Sequence, residues 1–340
     1  MTDTKTSPAQ TDRPTAPRAR PPRQWLPAVG LDRFSGLYLL VILVVVYSLM
    51  EPSTFFTSQN FRLVLSSQAI TGIITLGLMV SLICGVFDLS IAANMTWAVL
   101  FVGYLQEHGY HWGVALALTV SSGAVIGVLN AIVVTRLHVD SVIGTLGMSS
   151  ILAAVSYWLT GGQAVTTGIQ AGFVDFGNEK IASIPLPVYF FALIALALWY
   201  FLNYRPSGRY LYAVGANLAA ARLAGLKVLR LQWTGLIVSA TVASFAGVVF
   251  AAQLGNAPYN AGASYLLPAF SAAFLGATQV RPGRFNVWGT VIAIYLLAVG
   301  VKGLKLKWPS QAWISDLFEG VVLIVAVALA VQSSRRARKG

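Results

Sequence analysis

A carboxylate stands between two apolar stretches of this chain. Asp88 follows Gly85-Val86-Phe87 and precedes Leu89-Ser90, with Asn94 a helical turn beyond Ser90. Holding an acid at membrane depth costs about 2.5–3.5 kcal/mol on insertion scales. Such groups face a cavity or a polar partner. Two roles fit Asp88. It can cap a helix that starts just after it, where Asp is favoured, or it can accept hydrogen bonds from a ligand in a pathway. The two coincide where a membrane helix is broken. Asn94, Asn130, Gln253 and Asn256 are further polar groups in or near apolar runs. Each can bind hydroxyls or join helices by hydrogen bonds.

Other chemistries lack their residues. His108 and His111 make a pair, but no cysteine or carboxylate set completes a metal site around them. Cys84 is alone, so the chain forms no internal disulfide. There is no G-x-x-x-x-G-K-[ST] phosphate loop and no G-x-G-x-x-G after a strand. The expectation is that this chain binds no metal and no cofactor, and is not itself an enzyme. If ATP and Mg drive its work, another chain uses them.

A second cluster is basic. Arg205 to Arg230 reads RPSGRYLYAVGANLAAARLAGLKVLR, with five basic residues and no acid, between two apolar runs. A basic connector marks the cytoplasmic side of a membrane protein. Asn217 can cap a short helix over Leu218–Leu223, and Gly225 can end it. A connector that only joined two spans would need no capped helix of small side chains. This one has the form of a surface touched by a cytosolic partner.

The elements that position both clusters are apolar helices. Of 340 residues, 56% are hydrophobic and only 10% are charged, against about 25% charged in soluble domains. Runs near 20 residues recur at 35–50, 64–85, 89–105, 112–135, 141–160, 187–203, 231–253, 264–279, 286–302 and 314–332, each long enough to cross a bilayer. The fold class is therefore all-α: a polytopic helical membrane protein of about ten transmembrane helices, with both termini cytoplasmic. Eighteen of the 23 Lys and Arg then fall on the inner side, as the positive-inside rule requires. The exceptions concentrate in Lys302, Lys305 and Lys307, in a segment assigned to the outer side. The net charge of +12 sits beside spans and serves topology and anionic lipid, with no nucleic-acid partner. Residues 1–33, rich in Pro, Thr, Ala and Arg, read as a disordered basic cytoplasmic tail. Residues 34–332 read as the transmembrane domain, with a cytoplasmic connector at 204–230, and 333–340 as a basic cytoplasmic tail. The loop 161–187 lies outside and is either a gate, short external helices or a passive link. Paired small residues such as Gly123 and Gly127 suit close helix packing.

Three motifs resemble the permease subunits of bacterial ABC importers for monosaccharides, the family of ribose, xylose and arabinose permeases. Gly85-Val86-Phe87-Asp88-Leu89-Ser90 is similar to that family's G-G-I-D-L-S. The run Gly208-Arg209-Tyr210 through Gly215, Asn217, Ala220, Arg222 and Gly225 resembles its G-R-Y-x-Y-A-x-G-x-N-x-x-A-x-R-L-S-G. A third, weaker match runs from Gly262 to Thr290. Leu218 and Leu266 stand where that family carries acids. The resemblance covers residues 34–332. It implies location in the cytoplasmic (inner) membrane, a second permease copy or a homologous permease, cytosolic ABC ATPase subunits docked on the connector helix, and an extracellular or periplasmic sugar-binding protein. It makes Gly208, Arg209, Tyr210, Gly215, Asn217, Ala220, Arg222 and Gly225 the ATPase-coupling residues, and Asp88, Ser90 and Asn94 pathway residues. Branched-chain amino-acid permeases are the near alternative. An ion-coupled transporter is the distant one; it would need intramembrane acids, and none occurs between Glu179 and Asp316.

Overall fold

The computed structural model describes residues 31–51, 55, 57–308, 310–311 and 313–337. The tail expected at residues 1–33 lies outside the described residues up to position 30. Helix α1 runs from Leu31 to Met50, followed by α2 (Ser58–Ile83), α3 (Ile91–Glu107), α4 (Trp112–Thr135) and α5 (Ser141–Thr160). A short α6 (Ala171–Asn178) and a two-residue hairpin, β1 (Lys180–Ile181) with β2 (Ile184–Pro185), precede α7 (Leu186–Tyr204). Two shorter helices of the basic connector follow, α8 (Pro206–Ala216) and α9 (Leu218–Leu223). The chain continues through α10 (Val228–Leu254), α11 (Leu266–Gly276), α12 (Val287–Lys307) and α13 (Trp313–Ala337).

Each expected apolar run overlaps a helix, but the count of ten spans is not confirmed. Seven of the described helices (α2, α4, α5, α7, α10, α12 and α13) are long and apolar enough to cross a membrane. The segment at 264–279 is a correction. There a 3-10 turn at Ala263–Tyr265 leads into α11, which has 11 residues and rises only about 16 Å at 1.5 Å per residue. It is a half-span. Pro268 near its start and the glycine-containing turn after it keep the helix short. The loop 161–187 forms α6, the hairpin and an isolated bridge between Val165 and Ala257. Lys302, Lys305 and Lys307 lie in the last turns of α12, where a loop was expected.

The core forms around α2 and α10. Helix α2 is buried on every side from Ala69 to Ile83, as expected for a helix apolar all round. Helix α10 packs on α2, α3 and α4. Gly123 and Gly127 set its approach to α4. A Cβ at Gly123 would overlap the Ser244 hydroxyl, and one at Gly127 would come within 2.6 Å of the Ile237 Cα. Small residues at i and i+4 thus let two backbones close together, the usual solution where lipid supplies no hydrophobic drive.

Candidate functional site: the break after α2 and the basic helix pair

Helix α2 stops by a defined mechanism. The Gly85 N–H donates to the Leu82 carbonyl and the Val86 N–H to the Ser81 carbonyl, both at 3.0 Å. Gly85 has φ +76°. This is the Schellman ending, which needs a left-handed residue at the position Gly85 occupies. Five residues of irregular backbone then run to Ser90, the N-cap of α3.

Irregular backbone at this depth must be satisfied by protein. Helix α5 supplies three hydroxyls at i, i+4 and i+8. Ser141 Oγ accepts from Phe87 N at 3.2 Å, and Thr145 Oγ1 accepts from Leu89 N at 3.0 Å. Ser149 Oγ donates to the Leu89 carbonyl at 3.1 Å. Nothing in the α5 sequence alone marks these three as a set. Their helical spacing is the one signal available.

Asp88 is fully buried. Its Oδ1 accepts from Ser90 N at 3.1 Å and from Ser90 Oγ at 2.6 Å, and its Oδ2 accepts from Ser239 Oγ of α10 at 2.7 Å. Asn130 of α4 donates from Nδ2 to Ser90 Oγ at 2.7 Å. Its Oδ1 is buried with no partner among the described residues. Asp88 therefore stands two residues before the N-cap and holds that residue, instead of capping the helix itself. Asn94 lies on the same side of α3. It donates to the Ala240 carbonyl at 2.7 Å and accepts from Ser244 Oγ at 3.0 Å. Asp88, Ser90 and Asn94 thus form one polar seam with Asn130, Ser239 and Ser244. Ser239 and Ser244 look in sequence like small packing residues; here they are the hydrogen-bond partners. Gln253 and Asn256 lie away from this seam, with Gln253 donating to Ser66 Oγ at 3.4 Å. His111 caps α4, accepting from Gly113 N at 3.1 Å, and His108 meets the Tyr104 carbonyl.

In the basic connector, Asn217 Oδ1 accepts from Ala220 N at 3.0 Å and starts α9. Gly225, with φ +77°, ends it by the same Schellman bonds, Gly225 N to Arg222 O and Leu226 N to Ala221 O. Arg209, Tyr210, Ala220 and Arg222 are exposed. Leu223 is 91% exposed, an apolar side chain with no cover in the monomer. Gly208 and Gly215 turn their Cα toward neighbouring backbone. Gly208 is buried where a Cβ would overlap the Phe201 carbonyl at the end of α7. A Cβ at Gly215 would overlap the Ile83 carbonyl oxygen, and the Gly215 Cα lies 3.5 Å from the Cβ position of Gly85. The end of α8 therefore seats directly on the end of α2, five residues before Asp88.

Tyr212 fixes the other side of α8. Its hydroxyl donates to the Phe285 carbonyl at 2.8 Å, and the Arg284 guanidinium lies 4.2 Å from its ring centre, a cation–π contact. Burial raises the Tyr212 pKa, and the nearby Arg284 and Arg281 partly offset that. The turn between α11 and α12 is thereby joined to α8.

The family model described as branched-chain amino acid transport system / permease component matches residues 60–327. This chain belongs to that family. Ribose import permease protein RbsC of Bacillus subtilis (strain 168) is 31% identical over 300 residues, covering 88% of this chain and 92% of that protein. The RbsC protein of Escherichia coli (strain K12) is 29% identical over 312 residues, covering 91% and 95%. The autoinducer 2 import system permease protein LsrD of Photorhabdus laumondii is 27% identical over 301 residues, covering 86% and 89%. The chain is thus a multi-pass membrane permease, a transport component.

Proposed function

We propose that this permease is the membrane subunit of an ATP-binding-cassette importer that carries a monosaccharide or related polyol inward across the cytoplasmic membrane. The observation that carries the reading is the seat of Gly215 on Ile83. It joins an exposed cytoplasmic helix pair to a broken span with a buried carboxylate. A cytosolic ATPase pressing on α8 and α9 would move the end of α2, and with it the seam around Asp88. The pattern of the coupling motif and the ribose permeases among the relatives support a sugar. Energy comes from ATP and Mg on the partner chain; this chain performs no hydrolysis. Two permease copies, two ATPases and one external binding protein complete the assembly.

The family description favours a second reading, branched-chain amino acids as cargo. Proteoliposomes holding the permease, its ATPase and its binding protein decide between them. Uptake of labelled pentose or hexose that stops without ATP is the expected result. Leucine uptake with no sugar uptake would establish the second reading. Uptake driven by an ion gradient without the ATPase would overturn both.

A further inference from the structure

A cleft of about 420 Å³ opens between α2, α11, α12 and α13. Its polar wall is Ser67, Gln68 and Thr71 of α2, Lys302 and Lys305 of α12, and Glu319 of α13. The rest is aliphatic. None of its lining residues is aromatic. Lys302 lies five residues before the end of α12, and Glu319 six residues after the start of α13. At 1.5 Å per residue that is about 8–9 Å along each helix from its outer end. Charges at that depth do not face hydrocarbon; they face water, a polar ligand or one another. These lysines are also the residues that break the positive-inside pattern. Topology therefore gives no account of them.

The helices hold these groups in place. A Cβ at Gly300 would lie 2.5 Å from the Phe318 ring, and one at Gly303 would overlap the Tyr47 ring. These close seats against α13 and α1 fix the rotation of α12 that presents Lys302 and Lys305 to the cleft. Ser271 of α11 donates to the Glu319 carbonyl at 3.3 Å and ties α13 in the same place.

The volume suits a small molecule, since ligand sites run about 300–1,000 Å³. A carboxylate accepts from two adjacent hydroxyls. An amide both donates and accepts, and ammonium groups donate to ring or hydroxyl oxygens. The aliphatic wall suits a C–H face, and the absence of a stacking ring suits passage over retention. We propose that this cleft is an outward-side station for a polyhydroxylated ligand, with Glu319 and Gln68 as its main hydrogen-bonding groups. It rests on the sugar-permease reading and adds a place to it.

Thiol labelling of the full chain, expressed with its ATPase and binding protein, tests the station. Cys84 is the sole cysteine and is buried, so Cys84→Ser gives a clean background. Gln68→Cys, Thr71→Cys and Glu319→Cys are exposed to a membrane-impermeant methanethiosulfonate from outside. Ile324→Cys, on the exposed face of α13, is the control. Cleft positions should react at least tenfold faster than the control, and saturating D-ribose should slow them at least threefold. Rates equal to the control overturn the station, because a lipid-filled or closed cleft gives that result. Fast labelling that no transported sugar slows overturns the ligand class. Glu319→Gln should lower D-ribose uptake at least fivefold at unchanged membrane level; unchanged uptake also overturns the station. If the unmutated permease takes up no sugar, the sugar reading falls and the ligand class with it. The labelling ratio still reports separately whether the cleft is aqueous.

Discussion

The Ile83 carbonyl oxygen lies where the Cβ of residue 215 would be. Only a Cα–H can face it, a weak contact of the kind found where backbones meet closely. Because the obstacle is backbone, a larger residue must displace α8 or the end of α2. Gly215→Val should cut coupled uptake at least tenfold while insertion and membrane level persist. ATPase activity of the assembled complex, measured beside uptake, checks this: hydrolysis that continues without transport is the expected pattern. Normal uptake would show that α8 moves independently of α2.

Asp88 and Ser239 make a second linked pair, α3 entrance to α10, at 2.7 Å. Removing one partner leaves a buried group unsatisfied, at a cost of about 1–3 kcal/mol. Ser239→Ala and Asp88→Asn should each destabilise the detergent-solubilised protein by that order and lower uptake. Residues in one network couple, so the double variant should cost less than the sum. Additive losses in thermal unfolding would mean that the two act separately.

The division between what sequence shows and what it hides follows the range of the interactions. The caps at Asn217 and Gly225 are local chemistry, decided within five residues, and are readable in the motif. The helices follow from apolar runs. The seam is long-range: Ser239 is 151 positions from Asp88, and Thr145 is 56 from Leu89. A serine in a span looks the same whether it fills space or holds a carboxylate. The short α11 also escapes a hydropathy reading, since an apolar run measures composition and not where the helix stops. Gly215 was legible as part of a motif, but its seat on Ile83 was not.

Tyr212 gives a pH-dependent test on the cytoplasmic side. Its phenol donates to Phe285, and burial raises its pKa above the ordinary value of 10.0. The folded state thus holds the proton more tightly than the unfolded state. The stabilisation is fully present below pH 10 and is lost as pH rises through the folded pKa. Tyr212→Phe removes this bond, worth about 0.5–1.5 kcal/mol, and keeps the ring under Arg284. Thermal stability should fall modestly at neutral pH, and the alkaline loss above pH 10 should become shallower. An unchanged alkaline limb would assign that loss to other groups.

The exposed face of α8 and α9 should act in binding and not in folding. Arg209 and Arg222 are solvent-exposed, and Leu223 is 91% exposed. An uncovered leucine beside two guanidinium groups suits a partner with an apolar pocket rimmed by acids. Arg209→Glu and Leu223→Ser should leave thermal stability within about 0.5 kcal/mol, as surface changes usually do. Co-purification of the ATPase should fall at least fivefold for each. The two losses should respond differently to salt. Raising ionic strength weakens the Arg209 contribution through screening, so the gap between the native chain and Arg209→Glu should narrow at high salt. The gap to Leu223→Ser should persist, because burial of an apolar side chain is not screened. ATPase retention equal to that of the native chain in both variants would place the docking surface elsewhere on the cytoplasmic side, with the Arg281–Arg284 turn as the next position to change.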